Sequence, residues 1–218
     1  MKKSFVVIGL GRFGISVTKS LIALRSDCLA IDVSEEAVKK VSQFAPNCAI
    51  ADATNIDALK ELDVKSVDHA IVAIGNSLQS TILTVINLKE LGVKNITVRI
   101  DSDTFKDVML RLGATEVIIP EEASAVSLAN QILSDTILDY YKVNEEYSIA
   151  KVIVGKSFEE VSLLDLGSLK KYDINIIGIT RENEFIQPKA NDTIKPDDIL
   201  TIFGPDKKIT KFDAFLNK

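Results

Sequence analysis

The sequence predicts an α/β protein in which a doubly wound, parallel six-stranded sheet is followed by a crossover helix and a small α+β lobe. Three observations carry this. From residue 4 to about 119, short β-branched runs alternate with longer helix-patterned segments, the signature of βαβ units. Several of these runs are apolar throughout, as expected of strands covered by helices on both faces. After Asn144-Glu145-Glu146 the pattern changes to short strands punctuated by turn residues.

In the first region the strands are Phe5–Ile8, Cys28–Ile31, Cys48–Ala51, Ala70–Ile74, Ile96–Ile100 and Glu116–Ile119. Between them lie helices over Phe13–Leu24, Glu35–Phe44, Asn55–Leu62, Ser77–Leu91 and Asp103–Leu112, the last two followed by Gly92 and Gly113 where a C′ glycine belongs. The unit they form covers residues 1–120. Ala125, Leu128, Ile132, Ile137 and Tyr140 then recur at near-helical spacing and predict one amphipathic helix over Glu121–Tyr141, within a crossover or dimerisation segment at 121–144. The lobe at 145–218 has strands at Ser148–Val154, Ile174–Ile179, Phe185–Ile186 and Leu200–Phe203 and a terminal helix from Pro205.

Composition narrows the function. Of 218 residues, 46% are hydrophobic and 26% charged, with a net charge of -5 and no basic run, so nucleic acid is excluded as an expected partner. Cys28 and Cys48 sit in apolar stretches without metal-ligand spacing and read as buried reduced thiols. No apolar run approaches the roughly 18 residues of a membrane span. The expected location is the cytoplasm, with any membrane role coming through a partner.

The strongest motif is Gly9-Leu10-Gly11-Arg12-Phe13-Gly14, directly after the first strand and opening the first helix. Gly9 suits the tight turn, Gly11 lets the backbone approach a pyrophosphate, and Gly14 lets helix and strand pack closely. The exposed N–H groups and the positive end of the helix dipole then face phosphates. Asp32, 18 positions past Gly14, ends the second strand where a carboxylate accepts hydrogen bonds from ribose hydroxyls, and it disfavours a 2′-phosphate. The domain is therefore of Rossmann type, and its ligand is an adenine nucleotide, ATP/ADP or NAD.

Other residues fall on the same carboxyl edge of the sheet: Val33 beside Asp32, Asp52-Ala53-Thr54 after the third strand, and Ile74-Gly75-Asn76-Ser77 after the fourth. Asp32 has the alternative of capping the helix near Glu35, and Asp52 and Thr54 that of capping the helix from Asn55. Gln79 faces the ligand or is a solvated position in a first helical turn. Arg12 either pairs with a terminal phosphate, its own or a neighbouring subunit's, or lies along the surface.

Nothing points to turnover. The single histidine, His69, precedes the fourth strand at the amino edge, opposite the expected nucleotide. There is neither a G-x-x-x-x-G-K-[ST] loop nor an activated serine or cysteine, so no catalytic residue is assigned. The alternative resting on Gly9–Gly14 and Asp32 alone is a small NAD-dependent oxidoreductase or an NAD(H)-responsive redox sensor.

The chain also resembles the RCK regulatory subunits of bacterial Ktr/Trk potassium-uptake systems, the Ktr type above all. Ile8-Gly9-Leu10-Gly11-Arg12-Phe13-Gly14, Ala30-Ile31-Asp32, Asp52-Ala53-Thr54, Ala73-Ile74-Gly75, Leu112-Gly113-Ala114 and Ile119-Pro120-Glu121 stand in that family's order and spacing. The resemblance implies an octameric ring beneath a membrane potassium-translocating subunit, with ATP favouring the conducting state and ADP the closed one. It implies that Arg12 reaches the γ-phosphate across a dimer and that Glu121 holds a bridging Mg²⁺, Ca²⁺ or Na⁺. Arg99 stands where relatives often carry a phosphate-facing lysine, and Ile119 replaces a histidine frequent before the Pro-Glu pair. In the second lobe Ile176, Ile177 and Arg181 fall in the segment that in relatives binds cyclic di-AMP, a segment whose isoleucines equally suit a hairpin strand.

Overall fold

The computed structural model describes residues 3–75, 77–166 and 172–218. The chain divides into two compact units, Met1–Pro120 and Glu121–Lys218.

The first unit runs β1 (Ser4–Ile8), α1 (Arg12–Ala23), β2 (Asp27–Asp32), α2 (Glu35–Val41), β3 (Asn47–Ile50), α3 (Ile56–Glu61), β4 (His69–Val72), α4 (Leu78–Glu90), β5 (Ile96–Arg99), α5 (Lys106–Leu112) and β6 (Glu116–Ile118). All pairings are parallel, in the order β3-β2-β1-β4-β5-β6. The chain therefore reverses its direction of growth between β1 and β4, which opens a crevice at the carboxyl ends of those strands. Alternation along β1 fills two cores. Val6 and Ile8 face one with Ile31, Val72, Leu88 and Val98, and Val7 faces the other with Cys28, Ala30, Val41 and Ile71. Each predicted strand is present to within two residues at its ends. The last predicted helix is a short 3-10 turn, Asp103–Phe105, followed by α5.

Both thiols are free: Cys28 is buried and Cys48 half-buried. Burial, with the Asp27 carboxylate and Cys48 adding to it, pushes the Cys28 thiol up to about 11, so it is an unreactive packing group.

His69 opens β4 at the amino edge. Its Nε2 lies 2.8 Å from Thr97 Oγ1, which donates to Glu116 Oε2 at 2.9 Å, and its ring stacks on Phe5 at 6.2 Å. Burial lowers its pKa below 6.5, Glu116 raising it and Lys3 lowering it further. Because the folded value is the lower one, the histidine's stabilising share is complete above 6.5 and is lost as pH falls through the folded midpoint. An NMR titration of the His69 ring is expected to give a midpoint below 6.5; a midpoint above it would mean that Glu116 outweighs burial.

The second unit runs α6 (Pro120–Leu133), β7 (Ile137–Lys142), β8 (Tyr147–Ile153), β9 (Val161–Ser162), β10 (Asn175–Arg181), β11 (Glu184–Ile186), β12 (Thr193–Ile194), β13 (Ile199–Pro205) and α7 (Asp206–Leu216). Its main sheet is antiparallel, β11-β10-β13-β8-β7, with β9 and β12 forming a separate pair. Ile209, Phe212 and Leu216 of α7 pack with Val152, Leu200 and Ile202 of the sheet.

The single helix expected over Glu121–Tyr141 is corrected: α6 ends at Leu133, and Ile137 and Tyr140 belong to β7. The cause is a β-bulge. Ile137 pairs with Val152, Asp139 with Lys151 and Tyr140 with Ala150, so the register shifts between Ile137 and Asp139. The extra residue puts Ile137 and Tyr140, three apart, on one buried face, which imitates helical spacing. Ser134 and Thr136 hydroxyls at the bend donate to Asp213 of α7 at 2.8 and 2.6 Å, and Asn217 Nδ2 donates to it at 3.0 Å. Among the described residues no helix is long and apolar enough to cross a membrane.

Candidate functional site: a nucleotide cleft at the strand switch point

The crevice between β1 and β4 is a cleft of about 560 Å³. Its floor is the glycine loop. Gly9 has φ +95, a conformation that a side chain disfavours, and its amide donates to Ile31 O at 2.9 Å. A Cβ on Gly14 would overlap the Gly9 carbonyl oxygen, so α1 approaches the loop as closely as backbone atoms allow. Around Gly11, which lines the cleft, there is open space: no atom beyond its own stretch of chain lies within 4 Å of where a Cβ would stand.

Helix ends sort the cleft by charge. Gly11 is the N-cap of α1, no side chain caps it, and the first turn holds no acid. α4 also starts at the cleft without an acid in its first turn, and its N-cap Ser77 accepts from the Ser80 amide at 3.1 Å. α2, by contrast, is capped by Ser34 and carries Glu35 and Glu36 in its first turn. Phosphates are thus favoured beside α1 and α4 and disfavoured beside α2.

Asp32 stands at the α2 side. Its Oδ2 accepts from the Leu10 amide at 2.6 Å and its Oδ1 from the Ser34 amide at 2.8 Å. Two backbone donors fix the carboxylate, and each oxygen keeps a second lone pair for a ribose hydroxyl. Ser34, not Asp32, caps α2, its Oγ accepting from the Ala37 amide at 3.3 Å. Asp52 Oδ1 accepts from both the Thr54 amide (2.9 Å) and the Thr54 hydroxyl (2.7 Å), while Asn55 caps α3. Asn87 of α4 donates to the carbonyls of Ala53 and Thr54 at 3.1 and 2.9 Å, holding this wall to α4.

Of the expected ligand residues, Gly9, Gly11, Asp32, Val33, Asp52, Ala53, Thr54, Ile74 and Gly75 line the cleft. Arg12 and Phe13 begin α1 beside it without lining it. The Arg12 guanidinium is exposed and makes no hydrogen bond or ion pair among the described residues. Gln79 is exposed and outside the lining, and Asn76 lies outside the described residues. Arg99 lines a smaller adjoining cavity of about 110 Å³, where its Nη2 meets Asp101 Oδ1 at 2.6 Å. Sequence reasoning missed Ser34 and Ser80. The N-cap position of Ser34 was a usable signal, whereas Ser80 looks like any helical serine.

In the second unit, Glu121 is exposed in the first turn of α6. Among the described residues no three His, Cys, Asp or Glu side chains cluster as a metal site. Ile176 borders a cavity of about 380 Å³ and Ile177 is exposed at the bulge of β10, but Arg181 does not line that cavity. Its Nε and Nη2 donate to the two oxygens of Asp198 at 2.8 and 2.7 Å, and Nη2 also reaches Thr193 O at 2.7 Å. Asp198 is 1% exposed and also accepts from the Lys195 amide at 2.8 Å. The half-buried arginine therefore ties the end of β10 to β12 and to the turn before β13 through a buried carboxylate.

Comparison with known proteins agrees with both units. The TrkA-N domain matches residues 5–120 and the TrkA-C domain residues 149–217. Ktr system potassium uptake protein C of Bacillus subtilis is 39% identical over 214 residues, covering 98% of this chain and 97% of the relative. Ktr system potassium uptake protein A of the same organism is 34% identical over 212 residues, covering 97% and 96%. Among solved structures, the GsuK RCK domain superposes with a TM-score of 0.68 at 11% identity, over all of this chain, which spans 48% of that one. The TrkA-N domain of the Escherichia coli inner membrane protein YbaL superposes with a TM-score of 0.54 at 17% identity, over 61% of this chain and 98% of that one. At these identities the structural likeness speaks for the fold.

Proposed function

The chain belongs to the family built from a TrkA-N and a TrkA-C domain, and from that premise we propose that it is the nucleotide-sensing, gating subunit of a bacterial potassium uptake system, sodium-coupled or not, in which ATP favours the active and ADP the inactive state. The observation that carries this reading is the cleft itself: an uncapped, acid-free helix N-terminus facing open space at Gly11, opposite a carboxylate fixed for ribose. The polar groups among the described lining residues are the carboxylates Asp32 and Asp52 and the hydroxyls Ser34, Thr54, Ser77 and Ser80, which supports a site that holds a nucleotide by its sugar and phosphates.

The relatives are named as potassium uptake proteins, which supports a membrane potassium-translocating subunit as partner and a place at the inner face of the cell membrane. Assembly through α6 into dimers and an octameric ring is supported by Leu128, Ile132 and Leu133, which that helix leaves exposed. Arg12, exposed at the mouth of the cleft, is the group that reaches a γ-phosphate across such a dimer, with Glu121 holding a bridging Mg²⁺, Ca²⁺ or Na⁺. The cavity beside Ile176 is the place for cyclic di-AMP, with Arg181 bracing its strand.

NAD(H) is the second reading. The GsuK channel has been solved bound to NAD, and the cleft of this chain extends to both sides of its glycine loop, as a dinucleotide needs. Calorimetric competition among ATP, ADP and NADH decides between them; NADH displacing both adenosine phosphates at lower concentration would overturn the ATP/ADP reading. Arg12→Ala is expected to leave ADP affinity within about twofold while lowering ATP affinity about tenfold, the scale of one lost charge-assisted contact. Equal losses for both nucleotides would remove Arg12 from that role.

A further inference from the structure

The cleft continues past its phosphate end. The small cavity beyond it shares Ile74 and Gly75 with the cleft and is lined on its far side by Arg99, Asp101 and Ser102. The separations are short. A Cβ placed on Gly9 would be 2.8 Å from the Ala73 carbonyl carbon and the Ile74 nitrogen, and one placed on Gly75 would be 2.6 Å from Arg99 Nη1. The guanidinium therefore stands one residue beyond the point where the phosphate loop touches the end of β4.

The two members of the Arg99–Asp101 pair differ in freedom. The arginine side chain is 15% exposed and the aspartate side chain 62% exposed. Asp101 lies between β5 and the 3-10 turn at Asp103–Phe105 with its side chain mostly in water, whereas Arg99 ends β5 with its side chain enclosed. An enclosed guanidinium needs an anionic partner, and its planar fork suits a carboxylate or a phosphate equally.

We propose that Asp101 is a built-in competitor for the nucleotide's phosphates at Arg99, so that a polyphosphate binds by exchanging one counter-ion for another. The proposal rests on the nucleotide reading of the cleft and adds a specificity-determining residue to it. Adenosine, which has nothing to offer the guanidinium, leaves the pair intact. A chain of two or three phosphates running from α1 past Gly75 takes the guanidinium from Asp101. Part of its attraction is then offset by the displaced carboxylate nearby, and Asp101 holds polyphosphate affinity down in proportion to how far the ligand extends.

The test is calorimetry of adenosine, ADP and ATP on the full chain with Asp101→Asn, Asp101→Glu, Arg99→Gln and the double variant Arg99→Gln/Asp101→Asn, folding being checked by circular dichroism. Asp101→Asn is expected to tighten ATP binding about three- to fivefold, the scale of one partly exposed ion pair, with adenosine unchanged. Asp101→Glu keeps the charge and stays near wild type, and in the Arg99→Gln background the gain disappears. Weaker ATP binding by Asp101→Asn would make Asp101 a support for Arg99 and overturn the proposal. A gain shared by adenosine, or one that survives Arg99→Gln, overturns it as well. Absence of binding by wild type to all three ligands is a different result, and it removes the nucleotide reading itself.

Discussion

Replacing Gly14 with valine is expected to abolish binding of every adenosine phosphate and to destabilise the first unit by about 3 kcal/mol. A side chain there meets the Gly9 carbonyl oxygen, which is backbone and cannot rotate away. Either α1 lifts off β1 or the loop loses the Gly9 φ of +95 and the Gly9 amide bond to Ile31 O that seat it against β2. Both outcomes remove the phosphate seat. Gly11→Val supplies the contrast, since the space around Gly11 is open; that variant is expected to unfold like wild type and yet fail to bind. Thermal unfolding and calorimetry on the two proteins separate the effects, and a Gly14→Val protein that binds ATP normally would contradict the loop geometry described above.

Asp198→Ala is expected to cost the second unit about 2–3 kcal/mol, less than for a fully buried ion pair because the Arg181 side chain is 31% exposed and water can reach it. The carboxylate accepts two bonds from Arg181 and one from the Lys195 amide. Its loss leaves a guanidinium without its counter-charge among Thr193, Ile194 and the end of β10. Denaturant unfolding reads the effect, and calorimetry of nucleotide binding, which belongs to the first unit, is expected to stay unchanged. A loss below about 1 kcal/mol would mean the pair is no more than a surface salt bridge.

How much of this was legible in the sequence depends on how local the cause is. β1, β2 and β4 are apolar runs because both of their faces are covered, and that signal needs no knowledge of partners. The glycine loop was legible for the same reason: the positive φ at Gly9 and the closeness of Gly14 to the Gly9 carbonyl oxygen are both set within one βα turn. Arg181 was not, because its fate is decided by Asp198, 17 residues away in the turn that leads into β13. Ile137 and Tyr140 misled because a bulge changed the period of a strand, an event set by its pairing with β8. Arg99 was pointed to by the family resemblance alone, and its pairing with Asp101 depends on how the loop after β5 turns.

The knot of hydroxyl and amide donors around Asp213 bears on what fixes the bend after α6. A bend between a helix and a strand usually acts as a swivel. Here Ser134 and Thr136 on one side of the bend and Asn217 at the far end of α7 all hold the same carboxylate, which α7 itself carries. Any reorientation of the long helix against the terminal one about this bend therefore has to break hydrogen bonds to a single carboxylate, so the path of the chain from α6 into β7 is set by a residue 79 positions beyond Ser134.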